Sequence, residues 1–126
     1  MKLKYGTLIE GLDLQREWSV GPSHLYNPSG LAGHEVLSSP AMIMEMETTC
    51  ATLAKLELPA DLTTVGFHVD VKHVSTAKPG ASVTTSARLL SITGNKLTFS
   101  VEAREGDRLI GVGTHRRAVV KIDDLA

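Results

Sequence analysis

The chain has 126 residues, of which 13 are Lys or Arg and 14 are Asp or Glu. This length suits a single domain over residues 1–126, with enough material for one core but not for a second domain. Because the charges nearly cancel and the basic residues are scattered, no broad positive field favours nucleic acid or an anionic membrane surface. No apolar run approaches the roughly 20 residues that a membrane-spanning helix needs.

The N-terminal sequence and the cysteine content indicate a cytoplasmic protein. Met1 to Tyr5 leads into glycine and polar residues rather than into an apolar stretch, so we expect no signal peptide. Cys50 has no second cysteine to pair with, and no Cys/His pair has the spacing of a zinc site. We therefore expect a soluble protein that uses no metal and no cofactor.

The first half of the chain predicts one strand, a long loop and one helix. We predict a short strand over Leu12–Val20, and a loop over residues 21–33, where Gly, Pro and Asn recur. A helix then starts at Ser38-Ser39-Pro40, because a serine before a proline is typical of a helix N-cap. The helix is expected to end near Glu57, since Leu58-Pro59 cannot continue it.

The second half of the chain has the alternating pattern of β-strands. The predicted strands are Val65–His73, Val83–Ile92, Leu97–Arg104 and Arg108–Ile122, and turn signals separate them. The residues expected to face the core are Val65, Phe67, Val69, Val71 and His73 in the first of these strands, and Ile110, Val112, Ala118, Val120 and Ile122 in the last. A sheet that is apolar on one face must be covered, and the helix is the available cover. The predicted fold class is α+β, with an antiparallel sheet wrapped around one long central helix.

Glu47 is a carboxylate at the edge of the apolar face of this helix. At roughly 100° per residue, one arc gathers the apolar side chains, and the opposite face is polar. The arc contains Ile43, Met46, Cys50, Leu53 and Ala54, and the polar face contains Glu45, Thr48, Thr52 and Lys55. A buried carboxylate costs several kcal/mol unless it is paired or hydrogen-bonded. Glu47 is therefore either a rim residue with its head group in water or part of a functional site, and the helical pattern leaves both readings open.

Three segments in chain order resemble the fluoroacetyl-CoA thioesterase family, whose members have the hotdog fold. Val36–Glu47 is similar to the family's helix entry, Val71–Gly80 to the strand and turn that carry its histidine, and Gly113–Val120 to its last strand. The resemblance covers residues 36–121, and the N-terminal third matches loosely around His24–Tyr26.

This resemblance implies hydrolysis of an acyl-CoA thioester by a homodimer with active sites at the subunit boundary. A hydroxyl residue, a helix glutamate and a strand histidine perform the chemistry in that family, and the matching positions here are Ser39, Glu47 and His73. The resemblance also places the backbone amide of Gly66 and the side chain of Arg117 near the ligand. Glu47 would either attack the thioester carbon or activate a water molecule, and the sequence does not separate these two roles.

Each of these residues also has a purely structural reading. Ser39 is placed where a helix cap is expected, although capping and catalysis are compatible, and the family usually has threonine there. Gly66 either marks a bulge or a close backbone approach, or offers its amide to the thioester oxygen. Arg117 lies off the apolar parity of its strand, so a surface salt bridge is its default reading. His73 on the apolar parity could equally be a structural core histidine.

The remaining polar and sulfur-containing candidates are expected to have structural roles. We interpret His68 and His115 as surface residues, and Cys50 as part of the core. The helix start at residues 40–42 is expected to offer free backbone amides.

One departure from the family bears on the substrate. Fluoroacetate-specific members have a phenylalanine lid just before the helix, whereas Gly30–Glu35 contains no aromatic residue. We therefore expect a different small acyl thioester as substrate.

Two other functions stay open. One is a hotdog hydratase or dehydratase, for which the usual close Asp/His pair is not found in the sequence. The other is an acyl-CoA-binding module without turnover.

Overall fold

One α-helix packs against a five-stranded antiparallel sheet in the computed structural model, which describes residues 4–126. The elements are β1 (Asp13–Ser19), β2 (Leu25–Tyr26), β3 (Val36–Leu37), α1 (Ser39–Glu57), β4 (Leu62–His73), β5 (Ser82–Thr93), β6 (Lys96–Glu105) and β7 (Arg108–Lys121). The large sheet has the strand order β1-β5-β6-β7-β4, and β2 pairs with β3 separately. The predicted α+β architecture, with one helix against an antiparallel sheet, is confirmed.

Residues 1–3 lie outside the described part of the chain, and with them most of the segment Met1–Tyr5 on which the signal-peptide expectation rests. Within residues 4–126, no helix combines the length and the apolar character that crossing a membrane would require.

The start of α1 differs by one residue from the predicted cap. Ser38 is the N-cap, and its hydroxyl oxygen accepts a hydrogen bond from the Ala41 amide at 3.2 Å. Ser39 is the first helical residue, so its hydroxyl is not used for capping. The Met42 amide donates to the Ser38 carbonyl, and proline at position 40 has no amide hydrogen. The free amides expected at residues 40–42 are therefore not available.

The buried face of α1 is centred closer to Met42 than the sequence pattern indicated. Its buried residues are Met42, Met46, Thr49, Cys50, Leu53 and Ala54, and they pack on apolar residues of β5 and β6. Ile43 is only half-buried. Glu45, predicted to face solvent, instead bonds the Arg16 guanidinium of β1 at 3.1 Å. Because the buried face is centred near Met42, Glu47 lies at its edge, and the Glu47 side chain is 33% exposed.

A β-bulge in β4 overturns the predicted single parity of that strand. Gly66 pairs with Arg117 and His68 pairs with Arg116, which leaves Phe67 as an extra residue between them. The residues that face the helix are therefore of even number before the bulge, such as Gly66, and of odd number after it, up to His73. Val65 and Phe67 lie on the outer face. There the side chains of Lys96 and Arg116 pack against the Phe67 ring.

The helix-facing parity of β7 is also the opposite of the predicted one. Gly111, His115, Arg117 and Val119 face α1, and a Cβ atom at Gly111 would collide with the Met42 side chain. Of the five predicted core residues, Ile110 and Ala118 are buried, but Val112 and Val120 are half-buried and Ile122 is 47% exposed. The strand ends at Lys121, and Ile122 begins a short 3-10 turn.

The edge strand β4 exposes large apolar side chains on both of its faces. Val65, Phe67 and Val69 are 38%, 47% and 42% exposed, and β4 pairs with β7 on one side only. An unpaired edge with exposed apolar residues is a place where another strand can add to the sheet.

Candidate active site

Ser39 and His73 form a hydrogen-bonded pair at the N-terminal end of α1. The Ser39 hydroxyl oxygen lies 2.8 Å from Nδ1 of His73, the last residue of β4. The contact is possible because Ser38 caps the helix and leaves the Ser39 hydroxyl unused. The other ring nitrogen of His73, Nε2, is buried and has no hydrogen-bond partner within residues 4–126. Burial lowers the pKa of His73 below its ordinary 6.5, although the backbone at Ser75 partly opposes this shift.

Glu47 belongs to a second group of residues, formed by α1, β4 and β7. Its Oε1 atom lies 3.6 Å from Nε2 of His115 and 3.8 Å from Nη1 of Arg117. These distances exceed hydrogen-bond length, so Glu47 sits in the field of Arg117 without being tightly bonded to it. One wall of the group is Gly66, where an added Cβ would lie 2.8 Å from Glu47 Oε1 and 3.0 Å from Arg117 Nη1. A side chain at position 66 would therefore displace the carboxylate.

Arg117 is buried and held rigidly, which contradicts its default reading as a surface salt-bridge residue. Its side chain is 10% exposed. Nε donates to the Thr64 hydroxyl at 2.8 Å, Nη2 donates to the Thr64 carbonyl at 3.0 Å, and Nη1 lies 3.1 Å from Nε2 of His115. Burial lowers the pKa of the Arg117 guanidinium, although an arginine at neutral pH still carries its charge. Arg117 therefore lies beside Glu47 with its guanidinium fixed by Thr64 and His115.

His115 is the functional candidate that the sequence interpretation missed, since we expected a surface residue. It is 1% exposed, and its Nδ1 atom lies 2.7 Å from the carbonyl oxygen of His68. Burial lowers the pKa of His115 below 6.5, Arg117 acts in the same direction, and the His68 carbonyl and Glu47 oppose it. The available signal was the pair Gly111 and Gly113 on the same parity, because glycines in a strand often mark a close approach of another element.

Within one chain the predicted catalytic residues fall into two separate groups. Ser39 and Glu47 are eight residues apart on α1, which corresponds to about 12 Å along the helix axis. His73 contacts Ser39, whereas Gly66 and Arg117 contact Glu47. Two surface depressions lie along α1. One of about 380 Å³ at the helix start is lined by Ser38 and Pro40 but not by Ser39 or His73, and one of about 250 Å³ lies beside Glu47. Met44 lines both of them.

Cys50 is a core residue, as predicted. It is fully buried, and burial raises the pKa of its thiol to about 12, so the reactive thiolate is not populated at neutral pH. Among the described residues 4–126, no three His, Cys, Asp or Glu side chains cluster closely enough to hold a metal ion.

A family model and a curated relative both match most of this chain. Residues 20–123 match the family model described as fluoroacetyl-CoA-specific thioesterase. The fluoroacetyl-CoA thioesterase of Streptantibioticus cattleyicolor is 33% identical over 102 residues, which cover 79% of this chain and 73% of that protein.

Solved structures of fluoroacetyl-CoA thioesterase are also similar to this chain. One superposes with a TM-score of 0.84 at 27% identity, covering 94% of this chain and 92% of that chain. A variant solved with fluoroacetate and CoA has a TM-score of 0.83 at 27% identity, covering 94% and 100% of the two chains. The hotdog fold expected from the sequence is therefore confirmed.

The buried histidines predict a loss of stability in acid. His73 and His115 have lowered pKa values in the folded state, so the unfolded chain binds more protons just below pH 6.5. Their stabilising contribution is fully present above pH 6.5 and is lost as the pH falls through their folded-state pKa values. We expect the free energy of unfolding, measured by urea denaturation, to fall from about pH 6.5 towards pH 5, and to fall less in His115→Gln.

The test compares the urea curves of His115→Gln and of the unmodified chain over the same pH range. If the urea curves of His115→Gln and the unmodified chain have the same pH dependence, the imidazole of His115 is not held neutral by burial.

Proposed function

The chain belongs to the fluoroacetyl-CoA-specific thioesterase family, and from this premise we propose that it hydrolyses a small acyl-CoA thioester to a carboxylic acid and free CoA. The observation that supports this proposal most directly is the environment of the Glu47 carboxylate. This carboxylate is partly exposed, lies beside a buried arginine and opens onto a depression of about 250 Å³. Thioester hydrolysis needs an oxygen nucleophile, or a base for water, in such an environment.

Glu47 supplies the reactive oxygen in this proposal. Its close approaches to His115, Arg117 and Gly66 all involve Oε1, so Oε2 is the oxygen left for the substrate or for water. Two routes fit this geometry. Oε2 either attacks the thioester carbon to form a mixed anhydride that water then hydrolyses, or it removes a proton from a water molecule that attacks directly.

Ser39 and His73 act on the leaving group and on the acyl oxygen in this proposal. In this proposal, Nδ1 of a neutral His73 accepts a hydrogen bond from the Ser39 hydroxyl, so that Nε2 carries the ring proton. That buried N–H has no hydrogen-bond partner in the described chain, which supports a role as donor to the departing thiolate or to the carbonyl oxygen. The Gly66 amide remains the second proposed donor to the thioester oxygen.

The acyl group in this proposal is small but not specifically fluorinated. The loop over residues 30–35 contains no aromatic side chain, and its Leu31 is 60% exposed. Nothing in this loop therefore provides an aromatic cover for a fluoromethyl group. The solved relative binds fluoroacetate and CoA, which supports a CoA thioester as the substrate class. The proposal also places the enzyme in the cytoplasm, where acyl-CoA thioesters are formed and used.

A homodimer through β4 completes the proposed site. The unpaired edge of β4 and its exposed Val65, Phe67 and Val69 support the addition of a second copy. In an antiparallel pair of identical strands centred on Asp70, the bulge at Phe67 places Gly66 of the partner subunit opposite His73. This pairing would bring the Ser39–His73 group of one subunit to the Glu47 group of the other, and it accounts for their separation within one chain.

The proposed reaction predicts release of free thiol from short acyl-CoAs. We expect acetyl-CoA and other short acyl-CoAs to be hydrolysed, with the kcat/KM for fluoroacetyl-CoA within about tenfold of that for acetyl-CoA. Glu47→Gln keeps the shape of the side chain but removes the charge, so kcat should fall at least about a hundredfold. A thiol reagent measures the rate.

Two outcomes of this assay would contradict the proposal. A folded Glu47→Gln variant with full activity would remove Glu47 from the mechanism. Binding of acyl-CoAs in calorimetry without any thiol release by the unmodified chain would identify a binding module instead.

If the active site is shared between two subunits, a substitution that prevents dimer formation should also abolish thioesterase activity. Val69→Lys places a charge on the β4 edge, so we expect a monomer in light scattering and a thioesterase rate near background. Leu90→Lys is the matched control, because Leu90 is a similarly exposed apolar residue of β5. It should keep both the dimer and the rate, and a fully active Val69→Lys monomer would refute the shared site.

A further inference from the structure

His115 and the Glu47 site are connected by a chain of hydrogen bonds that fixes the tautomer of a buried imidazole. The carbonyl oxygen of His68 can only accept, so His115 Nδ1, at 2.7 Å, must carry the proton. In a neutral imidazole Nε2 then has the lone pair, and it accepts from Nη1 of Arg117 at 3.1 Å. The less common Nδ1–H tautomer is therefore imposed by the backbone beside the β4 bulge.

This tautomer decides where the Arg117 guanidinium lies. Thr64 binds Nε and Nη2, and His115 binds Nη1, so the buried guanidinium is held at both ends. Without the acceptor at His115, Nη1 would have Glu47 Oε1 as its nearby acceptor, now at 3.8 Å. A buried donor that lacks a partner is unfavourable, so Arg117 and Glu47 would then move into direct contact.

We propose that His115 is a positioning residue, which keeps Arg117 close enough to Glu47 to hold the carboxylate in place but too far to bond it directly. A direct bond from Arg117 would take up lone pairs of the reactive carboxylate. Protonation of His115 would have the same result, because Nε2–H would then face both Nη1–H and Glu47. The titratable and charged groups that face His115 are Glu47 of α1, His68 of β4 and Arg117 of β7. This inference rests on the proposed thioesterase function.

Two substitutions separate this role from simple core packing. In His115→Gln an amide oxygen can replace Nε2 as the acceptor for Arg117, whereas His115→Leu fills the space without any acceptor. We expect His115→Gln to keep kcat within a few-fold of the unmodified enzyme. His115→Leu should lose about tenfold or more in kcat with little change in KM, since the carboxylate rather than the CoA-binding surface is altered.

Equal kcat values for the Gln and Leu variants, at comparable thermal stability, would overturn the proposed role.

The tautomer itself can be observed independently of activity. Nitrogen-15 NMR of imidazole groups distinguishes a protonated from an unprotonated ring nitrogen. We expect the His115 signals, assigned by their loss in His115→Gln, to show Nδ1 protonated and Nε2 unprotonated at neutral pH. An Nε2–H tautomer would overturn the inference even if the thioesterase is active. Failure of the unmodified chain to hydrolyse any acyl-CoA would instead refute the proposed function and leave the tautomer assignment standing.

Discussion

The extra residue in β4 is the constraint on which the arrangement of the site depends. Without the bulge at Phe67, Gly66 and His73 would have opposite parity and would face opposite sides of the sheet. With it, both face α1, so one strand contributes to the Glu47 group and to the Ser39–His73 group. The bulge also lies next to the His68 carbonyl that binds His115. One local irregularity therefore sets the orientation of residues from both β4 and β7.

The second constraint is the polar face of β7 beneath the helix. His115 and Arg117 occupy positions that a sheet of this kind would normally fill with apolar side chains, and their burial has a free-energy cost. Thr64 and the His68 carbonyl offset part of this cost by accepting their hydrogen bonds. Such a satisfied polar network is rigid. A rigid arginine under a half-exposed carboxylate is what a preorganised site requires, since neither group has to move during the reaction.

The sequence was sufficient to predict the fold, but not to predict which residues of β4 and β7 face the helix. Helix α1 and the order of the elements along the chain follow from periodicity, turn residues and the resemblance, whereas the pairing of β4 with β7 rather than with β5 does not. Gly66 indicated a bulge as one of its readings, but the alternating pattern was followed through it, so Val65 and Phe67 were assigned to the wrong face. The burial of Arg117 and His115 was missed because a charged residue on a strand is usually solvated, and its partners come from residues far apart in the chain. The assignment of the cap to Ser39 was wrong by one residue, because Ser38 and Ser39 fit the same pattern.

The central claim is that each active site combines Glu47 of one subunit with His73 of the other. The direct measurement is the rate of acyl-CoA hydrolysis by purified heterodimers with differently tagged subunits. A heterodimer of Glu47→Gln with His73→Ala has one intact site if sites are shared, and we predict about half the wild-type rate per dimer. A heterodimer of the double variant with the unmodified chain should be inactive. An inactive first heterodimer with a half-active second one would contradict the claim, because each site would then lie within one subunit.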